Sequence, residues 1–150
     1  MGLKDIMANA KAALVAAQVS GSPAFIAVYR ARIIGQAATA VQRPIAGIWR
    51  AVNKPKYGAH CTQTREQVTN ELVLVVEVAG AGIGGGDAVD DEMIDLRAAV
   101  ATALSNNSLG GNCAPLEPYG DESSLGITAT PGYEQIAFRT AYTENKPSVT

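Results

Sequence analysis

Leu72, Leu74, Val76 and Val78 alternate with Glu71, Val73, Val75 and Glu77, which is the two-residue period of a β-strand over residues 69–80. The first set makes a wholly apolar face. The second is apolar in its middle and carries carboxylates, so that face is expected to be half-wet at its ends. Residues 133–143 repeat the period, with Ile136, Phe138, Thr140 and Tyr142 set against Gln135, Ala137, Arg139 and Ala141. Shorter runs predict strands over 24–33 (Phe25, Ile26, Val28, Tyr29, Ile33), over 43–52 and over 126–130. Pro44 belongs at a strand start or a sheet edge, because proline donates no ladder hydrogen bond.

The period changes twice. Leu3, Ile6, Met7, Ala10, Leu14 and Ala17 recur at three- and four-residue spacing, predicting an amphipathic helix over 3–19 that SGSP ends. Val89, Met93, Leu96, Val100, Ala103 and Leu104 do the same over 88–106, with Asp87, Asp90, Asp91 and Glu92 where the helix dipole favours acids. Asn106, Asn107 and the Gly110–Gly111 pair supply its C-cap. Residues 53–65 (NKPKYGAHCTQTR) have no period and read as a long loop, as do residues 112–124. The tail, about residues 145–150, reads as flexible. Strands outnumber crossover helices. The expected fold is therefore one α+β domain of 150 residues, an antiparallel or mixed sheet of about four to five strands with two helices packed on one face.

Composition changes this picture in one respect. The chain is 47% hydrophobic and only 17% charged, so a lone copy exposes apolar area, which favours an oligomer or a large partner surface. No run has the length of a membrane span. Lys11 and Asn9 break the would-be apolar core of an N-terminal signal, and Gly2 lacks the downstream Ser or Thr of a myristoylation site. Cys61 and Cys113 lie far apart and read as free thiols of a reducing compartment. Net charge is -2, yet every charge from Ala24 to Arg65 is basic and acids dominate from Glu66 onward. That asymmetry implies complementarity with a partner, or pairing of the two ends within the fold.

Candidate chemistry thins out on inspection. Gly80, Gly82 and Gly85 spell G-x-G-x-x-G after a strand, but the helix is expected to begin some residues later and its first turn carries acids that repel a pyrophosphate. No acidic residue follows at the ribose-binding spacing, and no Gly-Lys-Ser/Thr completes a P-loop. The glycines read as a connection. The acids lack the spacing of a calcium loop, and one histidine with two cysteines cannot complete a structural zinc site. His60 and Cys61 are adjacent and point apart in extended chain, so they do not form a nucleophile–base pair. Trp49 reads as buried or interfacial rather than as a base-stacking platform. Nothing here argues for an enzyme, a cofactor or a metal.

The element order, with RPIAGIW at 43–49, NELVLVVEVAG, DDEMIDLRAAVATALSNNSLGG and GYEQIAFRTAYTEN, resembles the tail terminator proteins of long-tailed bacteriophages. That family shares its fold with tail-completion and neck proteins. The resemblance rests on Asp95, Leu104, the Leu109–Gly110 pair, Tyr133, Phe138 and Tyr142, and it is weakest over the first 40 residues. It implies a homohexameric ring that caps the tail tube protein, stops its polymerisation and meets the head-closure connector. Such a protein resides in the virion after assembly in the host cytoplasm, with DNA at most passing through the lumen. Arg43, Arg50, Lys54, Lys56, Tyr57 and Arg65 are then the expected partner-contacting residues. A head-closure or neck adaptor is the near alternative, and a small nucleic-acid-binding module the distant one.

Overall fold

A computed structural model describes residues 2–33, 44–55, 67–81, 86–119 and 133–145. Helix α1 spans Leu3–Val15, starting where the Asp5 carboxylate accepts the Gly2 amide at 3.2 Å. It stops four residues short of the predicted end. Gln18–Val19 (β1) and Ser22–Pro23 (β2) form a small antiparallel hairpin instead, turning on Ser20 and Gly21 with φ of 52° and 81°. Positive φ at both central residues is the turn geometry that matches strand twist.

Ala27–Tyr29 (β3), Ile45–Pro55 (β4), Gln67–Ala79 (β5), Glu117–Pro118 (β6) and Tyr133–Asn145 (β7) make one sheet in the order β3-β4-β5-β7-β6. Helix α2, Gly86–Leu104, joins β5 to the β6 region. β3 runs parallel to β4 and every other pair is antiparallel, so the sheet is mixed and the fold is single-domain α+β. Both helices cover one face. Ile6, Met7, Ala10 and Leu14 of α1 and Met93, Leu96, Val100 and Leu104 of α2 share a core with Leu72, Leu74, Val76, Val78, Ile136 and Phe138. Burial of that apolar area is the main stabilising term.

Several boundaries move for identifiable reasons. Only three residues of the 24–33 strand are in the sheet, because the chain leaves the edge after Tyr29 and crosses the second face. Pro44 stands just before β4 and its carbonyl accepts the Ile26 amide at 2.7 Å, as a strand-start proline should. Residues 53–55, read as loop, extend β4, and the strand at 69–80 begins earlier, at Gln67. Within the predicted loop 112–124, Glu117 and Pro118 pair with Arg139 and Phe138. Asn145, placed in the flexible tail, is the last ladder residue of β7, opposite Gln67. The expected helix cap holds in part: Asn106 adopts φ 59° and Asn107 donates to the Ala103 carbonyl at 2.9 Å, but Gly110 and Gly111 lie beyond the helix end in a following turn, where the Gly111 amide donates to the Ser108 carbonyl. The strand predicted at 126–130, the rest of the tail, and His60 and Cys61 lie outside the described residues.

Candidate functional site

The second face of the sheet is dry at its Glu77 end, whereas Glu71 at the other end is half-buried. Gly47 sits opposite Glu77 in the β4–β5 ladder, and Gln135 of β7 sits opposite Glu77 on its other side. A Cβ on Gly47 would lie 2.3 Å from the Ala31 carbonyl oxygen and 2.7 Å from Ile33 Cγ2. The missing side chain is what lets segment 30–33 pass over the sheet. Ile33 then packs on Ile45 and Ala79, and Arg32 is brought to Glu77.

Glu77 is completely buried. Its Oε2 accepts hydrogen bonds from the Tyr133 hydroxyl and, at 3.3 Å, from the Gln135 amide, which also donates to the Tyr133 oxygen at 3.1 Å. Arg32 Nε lies 3.5 Å from Oε1, and the guanidinium stacks over Trp49 at 4.7 Å from the ring centroid. A buried carboxylate needs such partners, since desolvation of an unpaired one costs several kcal/mol, on the order of 3–5. Trp49 is half-buried against Val73, Val75 and Ala137 on this face, as its sequence context suggested. Its indole N–H and Glu77 Oε1 carry no hydrogen bond among the described residues. The cluster pairs one acid with one base and holds segment 30–33 down as a strap over the sheet.

The expected contact residues divide. Arg43, Lys56, Tyr57 and Arg65 lie outside the described residues. Arg50 and Lys54 are exposed on β4, which leaves the core after Ile48 yet stays paired to β5 as far as Pro55 opposite Asn70. Lys54 is thus a strand residue facing Glu71 across the ladder, not a loop residue. A register shift between Arg50 and Val52 kinks the strand there. Neither base joins an ion pair among the described residues, where the pairs are Arg32–Glu77, Arg97–Glu134 and Arg139–Glu117.

The glycine connection takes a definite role at its first residue. A Cβ on Gly80 would lie 2.3 Å from a carboxylate oxygen of Glu92 and 3.0 Å from Met93 Sδ, so this glycine lets β5 pack closely against α2. Helix α2 begins at Gly86, directly after the last fingerprint glycine rather than some residues later, and Gly86 enters it at a φ of 32°, a conformation that favours glycine. An anion at that end would still meet Asp87, Asp90 and Asp91, all exposed on its first turns.

The helix layer carries two open troughs on its outer side. One, of about 600 Å³, runs between the end of α1 and α2, over Ala13, Ala16, Ala98, Ala99 and Ala103. The other, of about 490 Å³, runs between the β1–β2 hairpin, Pro44 and α2, with Asp91, Glu92 and Asp95 on its wall. They meet at Val19 and Asp95. Sequence reasoning missed this surface, although the three- and four-residue spacing of Ala88, Asp91, Asp95, Ala98 and Thr102 was there to show it.

Cys113 is a free, half-buried thiol whose pKa is raised by burial, against a lowering hydrogen bond from Thr140. Among the described residues no three His, Cys, Asp or Glu side chains cluster as metal ligands, and no helix is long and apolar enough to cross a membrane. No protein-family model matches the chain, and no curated protein matches it.

Proposed function

We propose that the protein is a structural component of a phage tail, a terminator that assembles into a ring, caps the tail tube and presents a surface to the head connector. The observation that carries this reading is the outer half of β4. The seven residues beyond Ile48 leave the core under the helices, with only Trp49 and Val52 half-buried on the second face, remain ordered by pairing with β5, and display Arg50 and Lys54 without a partner among the described residues. A strand held rigid and kept exposed is suited to contact another protein. The order of helix, strand, long antiparallel pair, helix and strand, with the β1–β2 hairpin and β6 added, is compatible with the resemblance to tail terminators and supports this reading. Low charge and the small side chains of both helices favour self-association as well.

The test has two steps. Solution mass with negative-stain microscopy should show closed rings, alone or on tubes. Incubation with purified tail tubes and with DNA-filled heads should show capping of tubes. Binding to heads but not to tubes would reassign the protein as a neck adaptor. Steep salt-sensitive binding to free DNA, without rings, would support a nucleic-acid module and overturn the proposal.

A further inference from the structure

Each helix carries one large hydrophobic side chain that is exposed, Val15 at 55% on α1 and Ile94 at 57% on α2, and neither belongs to the core. Each stands in line with charges. Lys4, Ala8, Lys11 and Val15 are spaced by four, three and four residues, and all four are exposed. Asp87, Asp91, Ile94 and Ala98 repeat that spacing on α2, again all exposed. At about 3.6 residues per turn this spacing keeps to one face, so each helix shows a stripe about 16 Å long. The α1 stripe lies on the far side of its helix from Ala13 and Ala16, which line the trough towards α2, so its lysines point away from the α2 acids of their own chain. Lys4, Lys11, Asp87 and Asp91 join none of the ion pairs among the described residues, and Arg97, the base on α2, is engaged with Glu134.

We infer that the α1 stripe of one copy packs along the α2 stripe of a second copy, with the two helices parallel. This rests on the ring reading above and names the surfaces that would build the ring. Both stripes are charged in their first half and apolar at their end. Parallel alignment therefore sets Lys4 beside Asp87 and Val15 beside Ala98. Helical side chains lean towards the N-terminus, which carries the long Lys11 side chain back to Asp91 and Val15 back towards Ile94. Antiparallel alignment would set Val15 against Asp87 and Lys4 against Ala98, covering a carboxylate with an apolar group and no base. Ala8 and Ala98 put no long side chain between the axes, so the helices can approach to about 8–10 Å. The charges fix direction and register, and the valine–isoleucine end excludes water. Two different faces meet, so the contact is heterologous. Repeated by rotation it closes into a ring; repeated without closure it gives a filament.

Two full-length variants test this, Lys4→Glu/Lys11→Glu and Asp87→Lys/Asp91→Lys, with folding followed by circular dichroism and assembly by sedimentation, alone and with purified tail tubes. In the first variant both stripes are acidic, and in the second both are basic. Each alone should self-associate at least about tenfold more weakly than the wild type. An equimolar mixture should recover assembly, as alternating, even-membered rings. Lysines at the start of α2 oppose its dipole. Should a reversal disturb folding, the neutral Lys4→Gln/Lys11→Gln and Asp87→Asn/Asp91→Asn variants take its place, each losing association by a smaller factor. A folded variant of either stripe that assembles like the wild type would overturn the helix contact and leave the ring reading standing. So would a mixture of folded reversals that fails to assemble. A wild type that stays monomeric both in solution and on tubes would overturn both.

Discussion

Gly47 lies directly across the β4–β5 ladder from Glu77, and its missing side chain is the gap through which the 30–33 segment reaches that buried carboxylate. The contact that fills the gap is backbone, the Ala31 carbonyl, which cannot swing aside as a flexible side chain would. Gly47→Ala should therefore cost about 1–3 kcal/mol, the range for overpacking a close contact. Gly80→Ala offers the control, because its nearest atoms belong to the ends of the Glu92 and Met93 side chains. Chemical denaturation should show a clear fall in midpoint for the first and a smaller one for the second. Equal midpoints would refute the strap argument. Trp49 fluorescence should change only in Gly47→Ala, since Arg32 stacks on that ring.

Glu77 and Arg32 should not be equivalent in mutation. Glu77 is fully buried, whereas the Arg32 side chain is 56% exposed. Glu77→Ala strands the Tyr133 hydroxyl and the Gln135 amide without their shared acceptor and leaves a void, a loss of about 2–4 kcal/mol. Glu77→Gln retains an acceptor and should lose less. Arg32→Ala removes a screened ion pair and a cation–π contact, but exposes the carboxylate to water as the side chain goes, so a loss of about 1 kcal/mol is expected. The order Glu77→Ala worse than Arg32→Ala is the measurable claim. The reverse order would mean that the arginine, not the hydrogen-bonded carboxylate, anchors the strap.

How much of this was legible in the sequence depends on whether a feature is local or set by topology. β5 and β7 show themselves because their two-residue period runs on for ten residues or more, and α2 because Met93, Leu96, Val100 and Leu104 hold one stripe. The period says which residues share a face but not what crosses that face. Glu77 therefore looked like a wet strand end, although Arg32, 45 positions earlier, and Tyr133, 56 positions later, bury it. Gly47 could not be distinguished from any other strand glycine until Ala31 was placed above it. The β1–β2 hairpin escaped notice because two-residue strands have no period to detect, and its Ser20–Gly21 turn read equally well as a helix stop. Of the expected contact residues, Arg50 and Lys54 were singled out by charge segregation, but their setting on a paired strand came from the ladder with β5.

Burial makes Cys113 a poor nucleophile near neutral pH. Its folded pKa lies above the ordinary thiol value, with desolvation the larger cause and the Thr140 hydrogen bond opposing it. In a Cys61→Ser background, a thiol-specific chromogenic reagent should react with native protein more slowly than with unfolded protein, and reaction should speed up at alkaline pH. The sign for stability follows. The native state holds the proton longer than the unfolded chain, so the stabilising difference is complete below the unfolded pKa and is lost as pH rises through the folded one. Cys113→Ser should flatten that alkaline loss. Native reaction as fast as that of unfolded protein at neutral pH would contradict the burial argument.

Arg50 and Lys54 provide the prediction that separates assembly from folding. Both are exposed, and neither pairs with another charge among the described residues, so Arg50→Glu should change stability by no more than about 0.5 kcal/mol. Lys54→Glu is slightly different, because residue 54 faces Glu71 across the ladder and two acids would then oppose each other. That costs about 0.2–1 kcal/mol, and the cost should shrink in high salt. Neither loss approaches what unfolds a domain of this size. Docking on purified tail tubes should respond quite differently, falling steeply for both variants at physiological salt, because a reversed charge at a contact is repelled rather than merely left unpaired. Sedimentation of the protein with tubes, beside thermal melts of the same preparations, reads the two effects together. Variants that melt like the wild type and still pellet with tubes as it does would remove Arg50 and Lys54 from the contact surface, and with them the main support for the terminator reading.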